Sequence, residues 1–226
     1  MYMIDVEKWA TAWEGVHPQT IVTEAVQWGL KWTLACSFSC EDVVILHWLS
    51  QTGRAVDVFW LDTGLLFPET YAFIDIVTAR YPGTFRRIPP SLSLQAQAAR
   101  YGEALWRQDP HQCCRIRKIE PIFDALAGYD GWITGIRRQQ SPTRAHAKVL
   151  EWDSTRGLYK LNPLAHWTTE EVQRYGEEHN IPVHPLHAQG YPSLGCYPCT
   201  RPVKPGEPLR AGRWEGWDKL ECGIHQ

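Results

Sequence analysis

The chain lacks any long apolar run. Across its 226 residues no stretch approaches the ~18 apolar residues that a membrane helix needs. The opening segment MYMIDVEKWATAWEGV has no apolar stretch behind a basic start, so no secretory leader is expected. A cytoplasmic protein without a membrane association is the expectation. Excess charge is also missing. The formal net charge is −2, which exerts no general pull toward nucleic acid or an anionic surface. Any anion site must therefore be local, and no nucleic-acid partner is expected. The strand-to-helix loop SFSCED lacks the glycine-rich spacing and the lysine of a Walker phosphate loop. A zinc ribbon is poorly served too, because Cys196–Cys199 is a C-x-x-C without a matching second knuckle.

What is present is an ordinary globular composition, 44% hydrophobic and 21% charged, with an unusual 12 tryptophans. The length suits one domain with a small extension. Three segments are expected: a helical residues 1–30, an α/β body over 31–200, and a basic loop with a mobile tail over 201–226.

Hydrophobic spacing gives the order of elements. Val6, Trp9 and Trp13, then Ile21, Ala25 and Trp28, recur at helical intervals. KWTLACSF (31–38) reads as a buried strand, 41–53 as a helix ending at Gly53, and AVDVFWLDT (55–63) as a second strand. A helix over 67–83 follows, then a short strand in GTFRRIPP and a helix over 91–101. Residues 113–129 read as largely helical, with Pro121 marking a break or a new start. DGWITGIRR (130–138) is a fourth strand, and 148–152 with 157–161 suit a hairpin. Thr168 and Glu171 form a capping box for a helix over 168–182. Beyond it, proline and glycine predict little regular structure. Strands alternating with helices imply a mostly parallel sheet with helices on both faces. Ligands then bind at the carboxyl ends of the strands.

The loops at those ends hold the candidate site residues. In the first, Ser37 and Ser39 allow backbone N–H groups and a helix N-terminus to hold an anion, or Ser39 simply caps the helix. In the second, Asp62 and Thr63 end a strand before Gly64 and could meet a ribose or a base edge, or form an ordinary turn. In GIRRQQSPTRA (135–145), Arg137, Arg138 and Arg144 suit a phosphate or sulfate, against the alternative of a solvated basic loop. A second basic stretch, 201–213, adds Arg201, Lys204, Arg210 and Arg213.

Sulfur is the stronger signal. In a reducing compartment, cysteines are metal ligands or catalysts more often than disulfides. The adjacent pair Cys113–Cys114 and the C-x-x-C Cys196–Cys199 together supply four thiolates for zinc or an iron–sulfur cluster. Adjacent cysteines make a poor knuckle for one tetrahedral ion, but can reach different irons of one cluster. Cys36 and Cys40, within a strand and at a helix start, read as packing residues. His184 and His187 read as loop histidines. Cys222 stands apart, in ECGIH near the last residue, where a core thiol would not be placed.

Taken together, SFSCED, LDTGLLFPETY, CCRIRKIEP, TGIRRQQSPTRA, NPLAHWT, GCYPCTRPV and KLECGIH resemble the assimilatory sulfonucleotide reductases, in the thioredoxin-dependent branch that acts on adenylyl sulfate. These stretches span roughly residues 31–226 in the order of that family. The resemblance implies a Rossmann-like adenine-nucleotide α-hydrolase-type fold related to ATP pyrophosphatases. It implies a [4Fe-4S] cluster on Cys113, Cys114, Cys196 and Cys199. It further implies Cys222 as nucleophile, and a basic site that includes Lys118, Arg144, Arg210 and Arg213. The implied partners are adenosine 5′-phosphosulfate and thioredoxin or a glutaredoxin-like reductant, within sulfate assimilation toward cysteine; a homo-oligomer is an open expectation. Two departures stand out: Ser39-Cys40 where the family commonly has Gly-Ala, and a GRWEGW segment with fewer tryptophans than usual. Rival readings are the enzyme for the 3′-phosphorylated nucleotide, and a non-enzymatic metal-binding module that would leave Cys222 without a purpose.

Overall fold

A computed structural model describes residues 4–225. In chain order its elements are α1 (Val6–Ala12), α2 (Pro18–Val26), β1 (Trp32–Ala35), α3 (Cys40–Gln51), β2 (Asp57–Leu61), α4 (Pro68–Arg80), β3 (Phe85–Ile88) and α5 (Leu94–Tyr101). There follow α6 (Leu105–Gln108), α7 (Pro110–Cys114), a π turn (Arg115–Ile119), α8 (Glu120–Leu126), β4 (Gly131–Ile133), β5 (Leu150–Asp153), β6 (Leu158–Leu161) and α9 (Thr169–Glu178). The sheet runs β3-β2-β1-β4-β6-β5. All pairs are parallel except the edge hairpin β5–β6.

The two sides of the sheet follow from the period-two alternation of strand side chains. Leu34, paired with Val58 and Ile133, and Leu161, paired with Ile133, face a large core built with α2, α3, α4 and α9. Their neighbours Phe59, Trp132 and Leu158 face the other way, onto Ile122, Ala125 and Leu126 of α8. Fully burying each such aliphatic side chain contributes about 1.5–3 kcal/mol. Helices on both faces are what the sequence pattern implied. Ala10 and Trp13 place the N-terminal helices in the same core as the sheet. Trp13 and Trp28 stack at 4.9 Å, which gives two of the tryptophans a packing role. Among the described residues no helix is long and apolar enough to cross a membrane.

Several boundaries differ from those read in the sequence. The helix expected from 91 begins at Leu94, because Ser93 caps it by accepting the N–H of Ala96 at 3.0 Å. β4 stops at Ile133 and not at 138: Thr134 N–H still donates to the carbonyl of Leu161 at 2.9 Å, and from Gly135 the chain leaves the sheet as a loop. The stretch 113–129 is helical but contains the π turn. Pro121 has no N–H to give, and its ring would crowd the preceding turn, so a widened turn just before it is the physical accommodation. The capping box forms as expected: Thr168 Oγ1 accepts from Glu171 N–H at 3.1 Å, and Glu171 accepts from Thr168 N–H at 2.7 Å.

Candidate functional site

A cavity of about 220 Å³ opens at the carboxyl ends of β1, β2 and β4. Its floor is Ala35–Ser39, Phe59–Leu61 and Thr134–Ile136; Thr63, Thr70 and His184 stand at one side. Ser37 donates its N–H and its hydroxyl to one oxygen of Asp42, at 2.6 Å each. Phe38 adopts a left-handed backbone (φ 61°), a conformation that costs a non-glycine residue about 1 kcal/mol. Burial of its ring against Trp60 offsets that cost. Ser39 caps α3, its hydroxyl accepting the N–H of Asp42 at 3.5 Å. Burial pushes the Asp42 carboxyl up to about 6, against the hydrogen bonds from Ser37. Gly135 makes this approach possible: a Cβ there would lie 2.8 Å from Glu41 Cβ and collide with Asp42 Oδ1.

Two residues expected at the ligand do not line the cavity. Asp62 is fully buried beneath the second loop, where Tyr71 Oη donates to it at 2.6 Å and Gly64 N–H at 2.9 Å, with Arg87 as a third partner. Burial alone would raise its pKa, but these three donors hold it below the ordinary carboxylate value. Arg137 turns away, into a buried ion pair with Glu41 at 2.8 Å, and also donates to Thr169 Oγ1 at 3.2 Å. It ties the loop after β4 to α3 and α9. The sequence could not separate these roles from ligand binding, because the partners Glu41, Tyr71 and Thr169 are distant or facing away in any local reading.

Thr63, Lys118, Arg144, Arg210 and Arg213 do line the cavity. The π turn carries Lys118. Its neighbour Arg117 is buried and donates to the carbonyl of Thr63 at 2.8 Å, which fastens the turn to the second loop. Burial disfavours the Lys118 ammonium, yet the sulfurs of Cys196, Cys222 and Cys114 outweigh it and raise its pKa above the ordinary value. Arg213 donates to the carbonyl of Leu194 at 2.8 Å and to Ser193 Oγ at 3.1 Å, and lies 4.5 Å over the ring of Trp214. The Nε groups of Arg210 and Arg213 are buried and have no protein partner. Burial and the neighbouring Arg213 push the Arg210 pKa down to about 10.

Behind Lys118 lies a second, tight cavity lined by Cys113, Cys114, Cys196 and Cys199. Lys118, Arg213 and Trp214 line both cavities and so form the wall between them. Trp214 was missed in the sequence reading; its signal is the nearby arginine and lysine, Arg213 lying 4.5 Å and Lys219 5.4 Å from its ring. Burial and the three companion sulfurs push the Cys113 thiol up to about 12, and burial with Cys196 and Cys114 pushes Cys199 to about 11. Such a set resists losing its protons unless a cationic centre compensates them, which is the chemistry of a metal-binding thiol group. Among the described residues no three ligand side chains converge at single-ion spacing. Cys36 is buried in the main core, and Cys40 packs beside Gly176. His184 accepts the N–H of Leu186 at 3.2 Å and meets Thr70 at 3.0 Å; burial pushes its pKa down to about 4.

The chain end folds across the first cavity, and Cys222 is half-buried in its wall. Ile224 packs with the α8-side core. Its carbonyl accepts from Arg156 at 2.8 Å, and the ring of His225 stacks on Trp132 at 5.5 Å. Burial, then Arg144, Lys160, Arg156 and Arg210, hold the His225 pKa well below the ordinary histidine value. A half-buried thiol thus faces a cavity with cationic walls, at the carboxyl ends of the parallel strands.

Residues 31–202 match the family model of the phosphoadenosine phosphosulfate reductase domain. The chain is 46% identical over 224 residues to a phosphoadenosine 5′-phosphosulfate reductase of Gloeobacter violaceus, covering 97% of this chain and 93% of that protein. It is 46% identical over 200 residues to adenosine 5′-phosphosulfate reductase 2 of Bacillus subtilis, covering 88% and 85% respectively. In structure it resembles the phosphoadenylyl-sulfate reductase of Candida auris, with a TM-score of 0.79, 26% identity, and coverage of 89% of this chain and 99% of that one. An FMN adenylyltransferase of Candida glabrata shares the fold alone, at a TM-score of 0.61 and 15% identity, with 92% and 74% covered. A family match over most of the length, joined to a sheet and cleft of the same kind, leads to one conclusion: the chain belongs to the phosphoadenosine phosphosulfate reductase family.

Proposed function

We infer that the chain reduces adenosine 5′-phosphosulfate to sulfite and AMP, with Cys222 as the nucleophile. The observation that carries this reading is the position of Cys222 in the wall of the cavity that Lys118, Arg210 and Arg213 also line. Thr63 and the loop from Ser37 to Ser39 receive the nucleoside, and the three cations receive the phosphosulfate. Those cations neutralise the anion. The thiolate attacks the sulfate sulfur. The sulfur–oxygen bond to AMP breaks, and AMP leaves with the electron pair. The enzyme then holds an S-sulfocysteine, a covalent intermediate that divides one hard reduction into two easier steps.

In the second step a reductant thiolate attacks Cys222 Sγ and sulfite leaves with the bonding electrons. The mixed disulfide is resolved by the second thiol of the reductant, which ends oxidised while Cys222 is regenerated. Thioredoxin or a glutaredoxin-like dithiol protein suits this step. The tail must then swing outward from the cleft, and Gly223, whose φ is 93°, provides a backbone that can turn there.

Cys113, Cys114, Cys196 and Cys199 are the residues that would hold a [4Fe-4S] cluster. Such a group, when bound, supplies charge and rigidity behind Lys118. Lys118 spans the wall between the sulfurs and the substrate anion, and orients the latter. The proposed setting is the cytoplasm, in sulfate assimilation. The 3′-phosphorylated nucleotide is the second reading, favoured by the names of the Gloeobacter and Candida auris proteins. Initial rates of sulfite release on both nucleotides, with a dithiol reductant, test the proposal. Faster turnover of adenosine 5′-phosphosulfate supports it, and preference for the 3′-phosphorylated form replaces it with the second reading.

A further inference from the structure

His184 and Thr70 have no task in the chemistry above. Both line the cavity at the strand ends, yet His184 is only 2% exposed and Thr70 only 6%. Thr70 lies in the first turn of α4 and gives its N–H to the carbonyl of Phe67 at 2.9 Å. The His184 ring is fixed from two sides. Its Nδ1 accepts the N–H of Leu186 at 3.2 Å, and the ring of Phe73 packs against it with centroids 5.1 Å apart. Its Nε2 stands 3.0 Å from Thr70 Oγ1. Among the described residues, Thr70 Oγ1 has no other hydrogen-bond partner.

Counting protons sets the polarity of this chain of contacts. A neutral imidazole carries a single N–H. Nδ1 is occupied as an acceptor, so the proton sits on Nε2 and is donated to Thr70 Oγ1. Burial keeps the ring neutral, with its pKa pushed down to about 4. The Thr70 hydroxyl then accepts from His184 and has its own hydrogen left to give. We propose that Thr70 donates this hydrogen to an uncharged acceptor of the nucleoside, a ring nitrogen of the base or a ribose hydroxyl oxygen, and that His184 is the positioning residue that holds the hydroxyl in that polarity. This rests on the reading of the cavity as the adenosine 5′-phosphosulfate site. Neither group is charged, so the pair suits the nucleoside, whereas the cations of the same cavity serve the phosphosulfate. A selective consequence follows. A hydroxyl held as a donor rewards an acceptor, and a nucleotide that offers an N–H at the same place sets donor against donor.

The test reads the affinity of the holoprotein for AMP by calorimetry in wild type, Thr70→Val and Thr70→Ser. The ¹⁵N shifts of His184 are read in histidine-labelled protein, with the resonance assigned through His184→Gln. The Nε2–H tautomer is expected. Thr70→Val removes the hydroxyl at nearly the same shape and is expected to weaken AMP about 3- to 10-fold, the loss of one neutral hydrogen bond, while Thr70→Ser stays within about twofold. The acceptor is located with 1-deaza-, 3-deaza- and 7-deaza-AMP and with 2′-deoxy- and 3′-deoxy-AMP. One of these analogues is expected to bind wild type more weakly than AMP does and to suffer no further loss from Thr70→Val, so that the two changes are not additive. An equal penalty from Thr70→Val on every analogue would reduce Thr70 to a structural role. AMP bound by Thr70→Val as tightly as by wild type would remove Thr70 from the site, and an Nδ1–H tautomer at His184 would overturn the positioning role. A wild-type protein that binds no AMP would overturn the nucleotide reading beneath the proposal, an outcome separate from all of these.

Discussion

Gly195→Ala places one methyl group against the cationic wall and little else. A Cβ at 195 would lie 2.7 Å from Arg213 Cζ and still closer to Nη2. The backbone of Gly195 is not in the left-handed region, so alanine meets no conformational strain there. The same substitution narrows the unfolded ensemble and stabilises by about 0.4–1 kcal/mol where the native backbone allows it. The fold is therefore expected to survive. What must yield is the guanidinium, which leaves the carbonyl of Leu194, Ser193 Oγ and the face of Trp214. If Arg213 donates to the phosphosulfate, its displacement removes a charged hydrogen bond worth about 1.5–3 kcal/mol. That corresponds to roughly a 10- to 150-fold fall in kcat/KM. The assay is the initial rate of sulfite release over a range of nucleotide concentrations, with the unfolding temperature measured in parallel. Unchanged kcat/KM in a protein of unchanged unfolding temperature would show that Arg213 has no part in holding the anion.

Two further outcomes are expected. Lys118→Ala should slow adduct formation about 10- to 100-fold, the loss of one charged contact to the substrate, while iron content stays near that of wild type; full activity would remove Lys118 from the site. Asp42 has a carboxyl at about 6 against an ordinary 3.8, so between these values the folded state holds a proton that the unfolded chain has lost. Stability contributed by this group is therefore lost as pH rises through that window, by at most about 3 kcal/mol. Asp42→Asn should gain stability relative to wild type between about pH 4 and pH 6.5, read from urea midpoints. A difference that stays flat with pH contradicts the burial argument.

Much of the fold was legible because strong periodicities carried it. The strands around Leu34, Phe59 and Ile133, the Thr168–Glu171 capping box and the hairpin β5–β6 all follow local rules. The π turn over Arg115–Ile119 was not legible, since its helical spacing is broken by one residue and only Pro121 hinted at it. The site was legible as chemistry more than as geometry. Cysteine spacing and basic loops marked the right regions, and Lys118, Arg210, Arg213 and Cys222 do meet at one cavity. Charge in a sequence does not reveal its partner, however. Arg137 is committed to Glu41 and Asp62 to Tyr71 and Arg87, and Arg144, which lines the cavity, also pairs with Glu221. Each of these partners is set by tertiary approach across 9 to 96 positions of chain.

The central claim is that the cysteine in the closing segment takes the sulfo group from the nucleotide. Intact-protein mass spectrometry measures this most directly, on holoprotein mixed with adenosine 5′-phosphosulfate in the absence of any thiol reductant. The account predicts a gain of one SO₃ group located on Cys222, absent in Cys222→Ser and discharged as sulfite when thioredoxin is added. An unmodified wild-type mass while AMP and sulfite accumulate, or an SO₃ group on any other residue, would contradict it.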